Sequence, residues 1–278
     1  MDRTLKVAFQ GETGAYSEQA ARAFFNTNIE VSPQPTFKKM FEALHNDEVD
    51  YVVAPIENSL AGSVHENYDL LLEYKLPIIG EIVLHISHHL MVYPGVKKDD
   101  IRRVISHPQA LGQCRHYLDN WENLIIEPGY DTAGCAKMVR EKKLLDTAAI
   151  ASKQAAGDYN LDIIASAIQS NQKNYTRFLI LAKEQGQSLP GGKTSIVFAT
   201  KDIPGALFKS LAVFALREIN LFKIESRPLH GSPFNYHFYL DFEGNATEEA
   251  QANALNHLQE ITAFLQVLGS YQTGIIVE

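Results

Sequence analysis

The sequence predicts an α/β chain in two parts, an open sheet carrying helices followed by a ferredoxin-like βαββαβ arrangement. Three observations carry that reading. Apolar, strand-like runs in the first part repeatedly end in a hydroxyl residue and pass at once into a helical pattern. A polar stretch from Lys183 to Gly192, closing on Pro190, Gly191 and Gly192, interrupts the chain and reads as a linker. Beyond it the order becomes strand, helix, two strands, helix and strand over about eighty residues.

Taken in order, Val7-Ala8-Phe9-Gln10 is a strand that leads through Gly11 and Tyr16 to Ser17. Tyr51 to Ile56 leads to Glu57-Asn58-Ser59, Val104-Ile105 runs into Ser106-His107-Pro108, and Leu124 to Ile126 precedes Asp131-Thr132-Ala133. Ala148 to Ala151 closes on Ser152. Each hydroxyl is a candidate N-cap, and Pro108 suits a first helical turn. In an open α/β sheet the carboxyl ends of the strands and the adjoining helix N-termini face one crevice, and such a rim suits a small anion. Leu179 to Ala182 reads as a buried strand entered through Asn174-Tyr175-Thr176-Arg177-Phe178, where a hydroxyl and a guanidinium stand side by side.

After the linker, Thr194 to Ala199 is a strand, and Gly205-Ala206-Leu207 opens a helix with Leu207, Leu211 and Phe214 on one face. Leu221 to Leu229 is the second strand, and the Gly231-Ser232-Pro233 region turns into the third, Tyr236 to Phe242. A helix from about Thr247 to about Leu265 and a last strand near Gly274 to Val277 complete the pattern.

At 278 residues and 45% hydrophobic content the chain can bury a large core, and its length favours two domains. A formal net charge of −8 disfavours nucleic acid or an anionic membrane as the main partner. No apolar run has the length of a membrane span, and Met1-Asp2-Arg3-Thr4 enters a strand without a signal-peptide core. Cys114 and Cys135 show no metal-type spacing and read as reduced, buried side chains of a cytoplasmic protein. Gly11-Glu12-Thr13-Gly14 lacks the spacing of a dinucleotide fingerprint, although Glu30 lies about where a ribose-binding acid would. His85, His88 and His89 fall in an alternating strand with no carboxylate set nearby, which favours core or surface histidines over metal ligands.

The motifs resemble those of a bacterial prephenate dehydratase, a catalytic domain followed by an amino-acid-sensing ACT domain, over nearly the whole chain. In the first part the resemblance is carried by Gly11 to Ser17, Glu57-Asn58-Ser59 with Gly62, Ser106 to Leu111 with Gln113, and Asn174 to Phe178. In the second it is carried by Gly205-Ala206-Leu207 and Glu225-Ser226-Arg227-Pro228. Two positions depart from the family pattern, which usually has Pro where Glu12 stands and Ser or Thr where Asp131 stands. The resemblance implies a two-lobed catalytic domain at 1–185, similar to periplasmic binding proteins, and an ACT domain at 193–278. By that analogy residues 1 to about 80 and about 170 to 185 form one lobe and 81–169 the other, with the cleft between them.

The reaction so implied converts prephenate to phenylpyruvate with loss of carbon dioxide and water, in phenylalanine biosynthesis. Aromatisation drives it, so no cofactor is needed. The resemblance makes Thr176 the hydrogen-bond donor to the departing hydroxyl, with Arg177 as a carboxylate clamp or supporting ion pair and Glu57 as an orienting or proton-carrying carboxylate. Adjacent strand residues face opposite ways, so Thr176 and Arg177 share the cleft only if the backbone bends. Asn58, Ser59, Ser106, Gln113, Thr132 and Phe178 are the expected substrate-binding residues. In the second part Gly205, Ala206, Leu207 and Glu225, Ser226, Arg227, Pro228 are the expected phenylalanine-binding residues of a homodimer or homotetramer, at an edge marked by Pro228. Arogenate, with an amine in place of the ketone, is the alternative substrate, and a non-enzymatic anion-binding regulator is the rival class.

Overall fold

The computed structural model describes residues 3–26, 28–185, 192–228 and 236–277. Most of the expected linker, Leu229 and the Gly231-Ser232-Pro233 turn lie outside the described residues. The chain divides into two compact units, one of Met1–Asn67, Ile82–Phe178 and Ile276–Glu278, the other of Tyr68–Glu81 and Leu179–Ile275. The division is therefore not a single cut near the linker. Among the described residues, no helix is long and apolar enough to cross a membrane.

The first unit holds two sheets, and with them two lobes. Strands β1 (Leu5–Gln10), β2 (Ile29–Gln34), β3 (Tyr51–Asn58), β4 (Gly62–Ser63) and β5 (Ile78–His85) join β11 (Tyr175–Leu181) and β16 (Ile276–Val277) in the order β16-β5-β11-β3-β1-β2, with β4 paired to β3. The second sheet takes β6 (His89–Val92), β7 (Arg103–Ser106), β8 (Ile125–Pro128), β9 (Thr147–Ala151) and β10 (Asp162–Ala165) in the order β10-β6-β9-β7-β8. Its pairs β7–β8 and β7–β9 are parallel, and β6–β9 and β10–β6 are antiparallel. The chain passes from one sheet to the other between His85 and His89, later than the expected boundary near residue 80, and returns between Ala165 and Tyr175.

Helices α1 (Tyr16–Phe25), α2 (Phe37–His45) and α3 (His65–Tyr74) follow strands of the first sheet. Three follow strands of the second, α4 (Pro108–Gln113), α6 (Thr132–Glu141) and α7 (Lys153–Asp158), and α5 (Arg115–Leu118) follows α4. Strand β9 reads Thr-Ala-Ala-Ile-Ala and is buried throughout, so small side chains let Ala133, Ala136 and Val139 of α6 approach it closely. The caps fall one residue away from several expected hydroxyls. His107 and Asp131, not Ser106 and Thr132, cap α4 and α6, while Ser152 caps α7 as read from the sequence. Gly14 explains its own identity, because at φ +87° a Cβ there would lie 2.7 Å from Cα of Ala155.

In the second unit β12 (Lys193–Thr200), α8 (Ala206–Ala215), β13 (Leu221–Pro228), β14 (Tyr236–Glu243), α9 (Glu249–Ile261) and β15 (Thr262–Tyr271) give a sheet of order β13-β14-β12-β15, antiparallel in every pair. This is the ferredoxin-like arrangement. Ile196, Phe198, Leu240 and Phe242 point from the sheet into a core shared with Val213 and Phe214 of α8 and Leu255 and Leu258 of α9. Alternation sends the intervening side chains to the other face, where Ser195 hydrogen-bonds Asp241 and Tyr271. The Tyr68–Glu81 segment lies on that side: Tyr239 donates to the Tyr68 carbonyl at 2.8 Å, and Arg227 pairs with Asp69 at 2.7 Å.

Two expected elements at the chain's end change. The helix stops at Ile261, and Thr262 to Leu265 belong to strand β15, which makes the fourth strand of the sheet. An apolar run this short satisfies both helical and strand periods, and pairing with β12 decides between them. The Ile276–Val277 run instead pairs in parallel with β5, opposite Val83 and Leu84.

Candidate active site

Residues of both lobes in the first unit line a cavity of about 410 Å³. The carboxyl ends of β1 and β3 and the amino-terminal half of β11 reach it from one lobe, and the turns leading into α4 and α6 from the other. Its floor is a chain of hydrogen bonds that can be oriented from one end. The Asn58 carbonyl accepts from the backbone N–H groups of Leu60 (3.0 Å) and Ala61 (2.9 Å), so its amide nitrogen must point the other way. That nitrogen donates to the Thr176 hydroxyl at 2.9 Å and to Asn174 Oδ1 at 2.8 Å. Asn174, fully buried, then donates through Nδ2 to Gln113 Oε1 at 2.9 Å.

The same Gln113 oxygen lies 2.7 Å from His88 Nε2, which must therefore carry a proton. On the far side His88 Nδ1 meets the Tyr16 hydroxyl at 2.8 Å, and that hydroxyl also lies 2.7 Å from the Ser87 carbonyl. A neutral His88 accepts at Nδ1. Burial drives its pKa down to about 4, against a smaller opposing effect of Gln113, so the neutral ring is the state present near pH 7. The folded-state value is depressed, so its contribution to stability is complete above pH 6.5 and is lost as the pH falls through 4. Replacing His88 by Gln is expected to remove about 3 kcal/mol of acid sensitivity between those limits, seen as a flatter dependence of the urea midpoint on pH. An unchanged dependence would show that His88 is not held neutral.

Thr176 accepts from Asn58, which leaves its own proton free to point into the cavity. Phe178, two residues on, lines the same cavity, and Arg177 between them faces the opposite side of the strand. Arg177 is not among the described residues that line the cavity. Asn58, Gln113 and Thr132 also line the cavity, whereas Glu57, Ser59 and Ser106 do not. Ser59 fastens β3 to the chain entering β11: its N–H donates to the Tyr175 carbonyl at 2.8 Å and its hydroxyl accepts from the Tyr175 N–H at 3.0 Å. Ser106 is wholly buried and donates to the Ile150 carbonyl at 2.6 Å, joining β7 to β9.

Among the lining residues not assigned to the site from the sequence, four carry groups that can titrate: Tyr16, His88, His107 and Asp131. Three of them stood in or beside the motifs, which was the available signal. The three histidines of the 85–89 run have separate surroundings: His85 contacts the Gln172 carbonyl at 2.7 Å, His88 lies in the relay, and His89 begins β6.

One wall is built from a contact between the two lobes. Asp131 Oδ2 accepts from the Glu12 N–H at 2.8 Å, and Oδ1 from the Ala133 N–H at 3.2 Å. The Glu12 carboxylate takes hydrogen bonds from Tyr130 (2.8 Å) and Lys137 (2.9 Å). Nearby, Ser152 and Tyr159 donate to the carbonyls of Gly14 and Thr13. Burial raises the Asp131 pKa, opposed by the two backbone donors. For Glu12 the burial effect is outweighed by Lys137 and Tyr130, and its pKa falls.

The family model described as prephenate dehydratase matches residues 7–186. A curated relative, arogenate dehydratase/prephenate dehydratase 2 of Arabidopsis thaliana, a chloroplastic protein, is 50% identical over 280 residues, covering 96% of this chain and 72% of its own length. Among solved structures, a prephenate dehydratase from Arthrobacter aurescens in complex with L-Phe superposes with a TM-score of 0.88 at 32% identity, covering 96% of this chain and 90% of that one. A protein described as GqqA, a novel type of quorum-quenching acylase, superposes at 0.89 with 33% identity, covering 97% and 98%. With a family match across the whole cavity-bearing region and a relative half identical over 96% of this chain, the chain belongs to the prephenate dehydratase family.

Proposed function

We propose that the cavity carries out decarboxylative dehydration of a prephenate-type substrate, with Thr176 as the donor to the departing hydroxyl. The bond from the ring to its carboxylate breaks, the electron pair moves through the diene and expels the hydroxyl at the far ring carbon, and that oxygen, hydrogen-bonded by Thr176, takes up one proton that comes ultimately from solvent and leaves as water. From prephenate the products are phenylpyruvate, carbon dioxide and water. The observation that carries the reading is the Asn58 amide on Thr176, which leaves the threonine proton as the one directed at the cavity. A threonine is too weak an acid to supply the proton outright, so it acts as a positioned donor.

Substrate carboxylates are held by neutral donors, namely the N-terminal turns of α1 and α6, together with Gln109 and Gln113 of α4. Phe178 and Ile86 supply apolar surface for the ring. Arg177 and Glu57 support the strand ends rather than touch the substrate. Incubation with prephenate and detection of the alkaline enolate of phenylpyruvate tests the activity. Absence of turnover by folded protein removes it.

The second unit is proposed to be an ACT domain that binds phenylalanine, a ligand with which the Arthrobacter aurescens prephenate dehydratase was solved. A cavity of about 530 Å³ there is lined by Gly205, Ala206 and Leu207 with Phe208 and Phe238. Glu225 to Pro228 lie on the edge strand β13 and are not among the described lining residues, so on this reading they reach such a cavity only from a second copy. Exposed Phe222 and Ile224 on the same strand support pairing of copies into a dimer or tetramer. Gly205 stands at φ +75°, where a side chain is strained. Phenylalanine is expected to inhibit turnover, and Gly205→Val to raise its half-inhibiting concentration about tenfold, within the usual coupling range. Equal inhibition of both proteins would place the phenylalanine site elsewhere. A cytoplasmic location is supported by two free, buried cysteines, while several relatives are chloroplastic.

A further inference from the structure

Among the described residues lining the cavity there is no lysine or arginine, and Asp131 is the single carboxylate. That is an awkward complement for prephenate, whose side chain ends in a keto acid and whose ring bears a second carboxylate. It is a good complement for the amino-acid form, in which an ammonium replaces the ketone. Resting on the dehydratase reading, we propose that Asp131 receives the substrate's ammonium group and makes arogenate the preferred substrate. The chemistry is the same decarboxylative loss of the ring hydroxyl, with phenylalanine, carbon dioxide and water as products.

The position is built for the purpose. Asp131 and Glu12 are the two positions at which the chain departs from the pattern it resembles, and they touch: the Glu12 N–H donates to Asp131 Oδ2. Proline, the usual residue at position 12, has no N–H to give. The two departures thus form one device, a backbone donor introduced together with the carboxylate it orients. Oδ1 accepts from the Ala133 N–H and, at 3.5 Å, from the Thr132 hydroxyl, while Oδ2 accepts from the Glu12 N–H alone and has capacity for a second donor. Glu12 keeps its own carboxylate occupied with Tyr130 and Lys137, so the lysine is held by Glu12, and Asp131 has no lysine or arginine partner among the described residues. A half-buried His107 faces Asp131 but is neutral near pH 7, since burial lowers its pKa. An incoming ammonium supplies the missing positive charge, and a ketone leaves it missing.

The test is kcat/KM for arogenate and for prephenate, measured on the full chain for wild type, Asp131→Ser and Asp131→Asn. Wild type should prefer arogenate, and in the Ser variant the arogenate-to-prephenate ratio should fall about 10- to 100-fold, with the prephenate value rising. Serine keeps a cap for Ala133, and Asn keeps the size, so a variant that does not fold leaves the other to decide. A ratio unchanged in a folded variant, or equal losses on both substrates, overturns the proposal. So does a wild type that uses prephenate as efficiently as arogenate, whatever the variants do. Turnover of neither substrate by wild type would instead remove the dehydratase reading beneath it.

Discussion

Thr176→Val is expected to lower turnover about 10²- to 10⁴-fold while leaving the fold intact, the range that acid–base assistance to a leaving group supplies. Valine has nearly the shape of threonine, and the backbone of β11 keeps its place in the sheet. What disappears is the hydroxyl that accepts from Asn58 and presents a proton to the cavity. The loss should fall on kcat rather than KM, because the bond to the departing oxygen strengthens only as that oxygen leaves. Near-normal kcat in a folded Thr176→Val protein would end the assignment.

Lys193→Met is expected to cost about 3–5 kcal/mol, read from the urea midpoint, because it takes the cation from a buried pair. Lys193 Nζ lies 2.6 Å from Glu81 Oε1, with the two side chains 7% and 2% exposed. The Gly274 N–H also donates to that oxygen at 2.9 Å, so the carboxylate ties three segments of one unit together. Replacing both partners, as Lys193→Met with Glu81→Leu, should recover much of the loss, since an apolar pair of similar volume carries no desolvation cost. If the single and double variants unfold alike, the pair is not what holds these segments.

Element type was legible wherever the hydrophobic pattern was long. Val7 to Gln10, Tyr51 to Ile56 and Ala148 to Ala151 lie in strands, and Gly205 opens a helix whose Phe214 is buried in the core. The pattern failed at Thr262 to Leu265, where a short apolar run suits either period; Ile276–Val277 is a strand as expected, but its partner, β5, lies far upstream in the chain. Within the site, Asn58, Gln113, Thr132, Thr176 and Phe178 reach the cavity, and Glu57, Ser59, Ser106 and Arg177 sit in the same motifs without doing so. A motif names neighbours in sequence. Only one side of a strand can face a given space, so about every second residue of an extended motif must point elsewhere.

The sequence by itself determined the α/β class, the ferredoxin-like order of the second part and the motif order that marks the family. These depend on local period, on turn residues and on which chemistry-bearing residues are present. The tertiary structure alone decided that Asn58, Asn174, Gln113, His88 and Tyr16 form one relay, that Glu12 meets Asp131, and that Ser106 turns inward to Ile150. Each of these contacts joins segments set side by side by pairing and packing, and a hydrogen bond needs atoms within about 3 Å, finer than any one-dimensional pattern specifies.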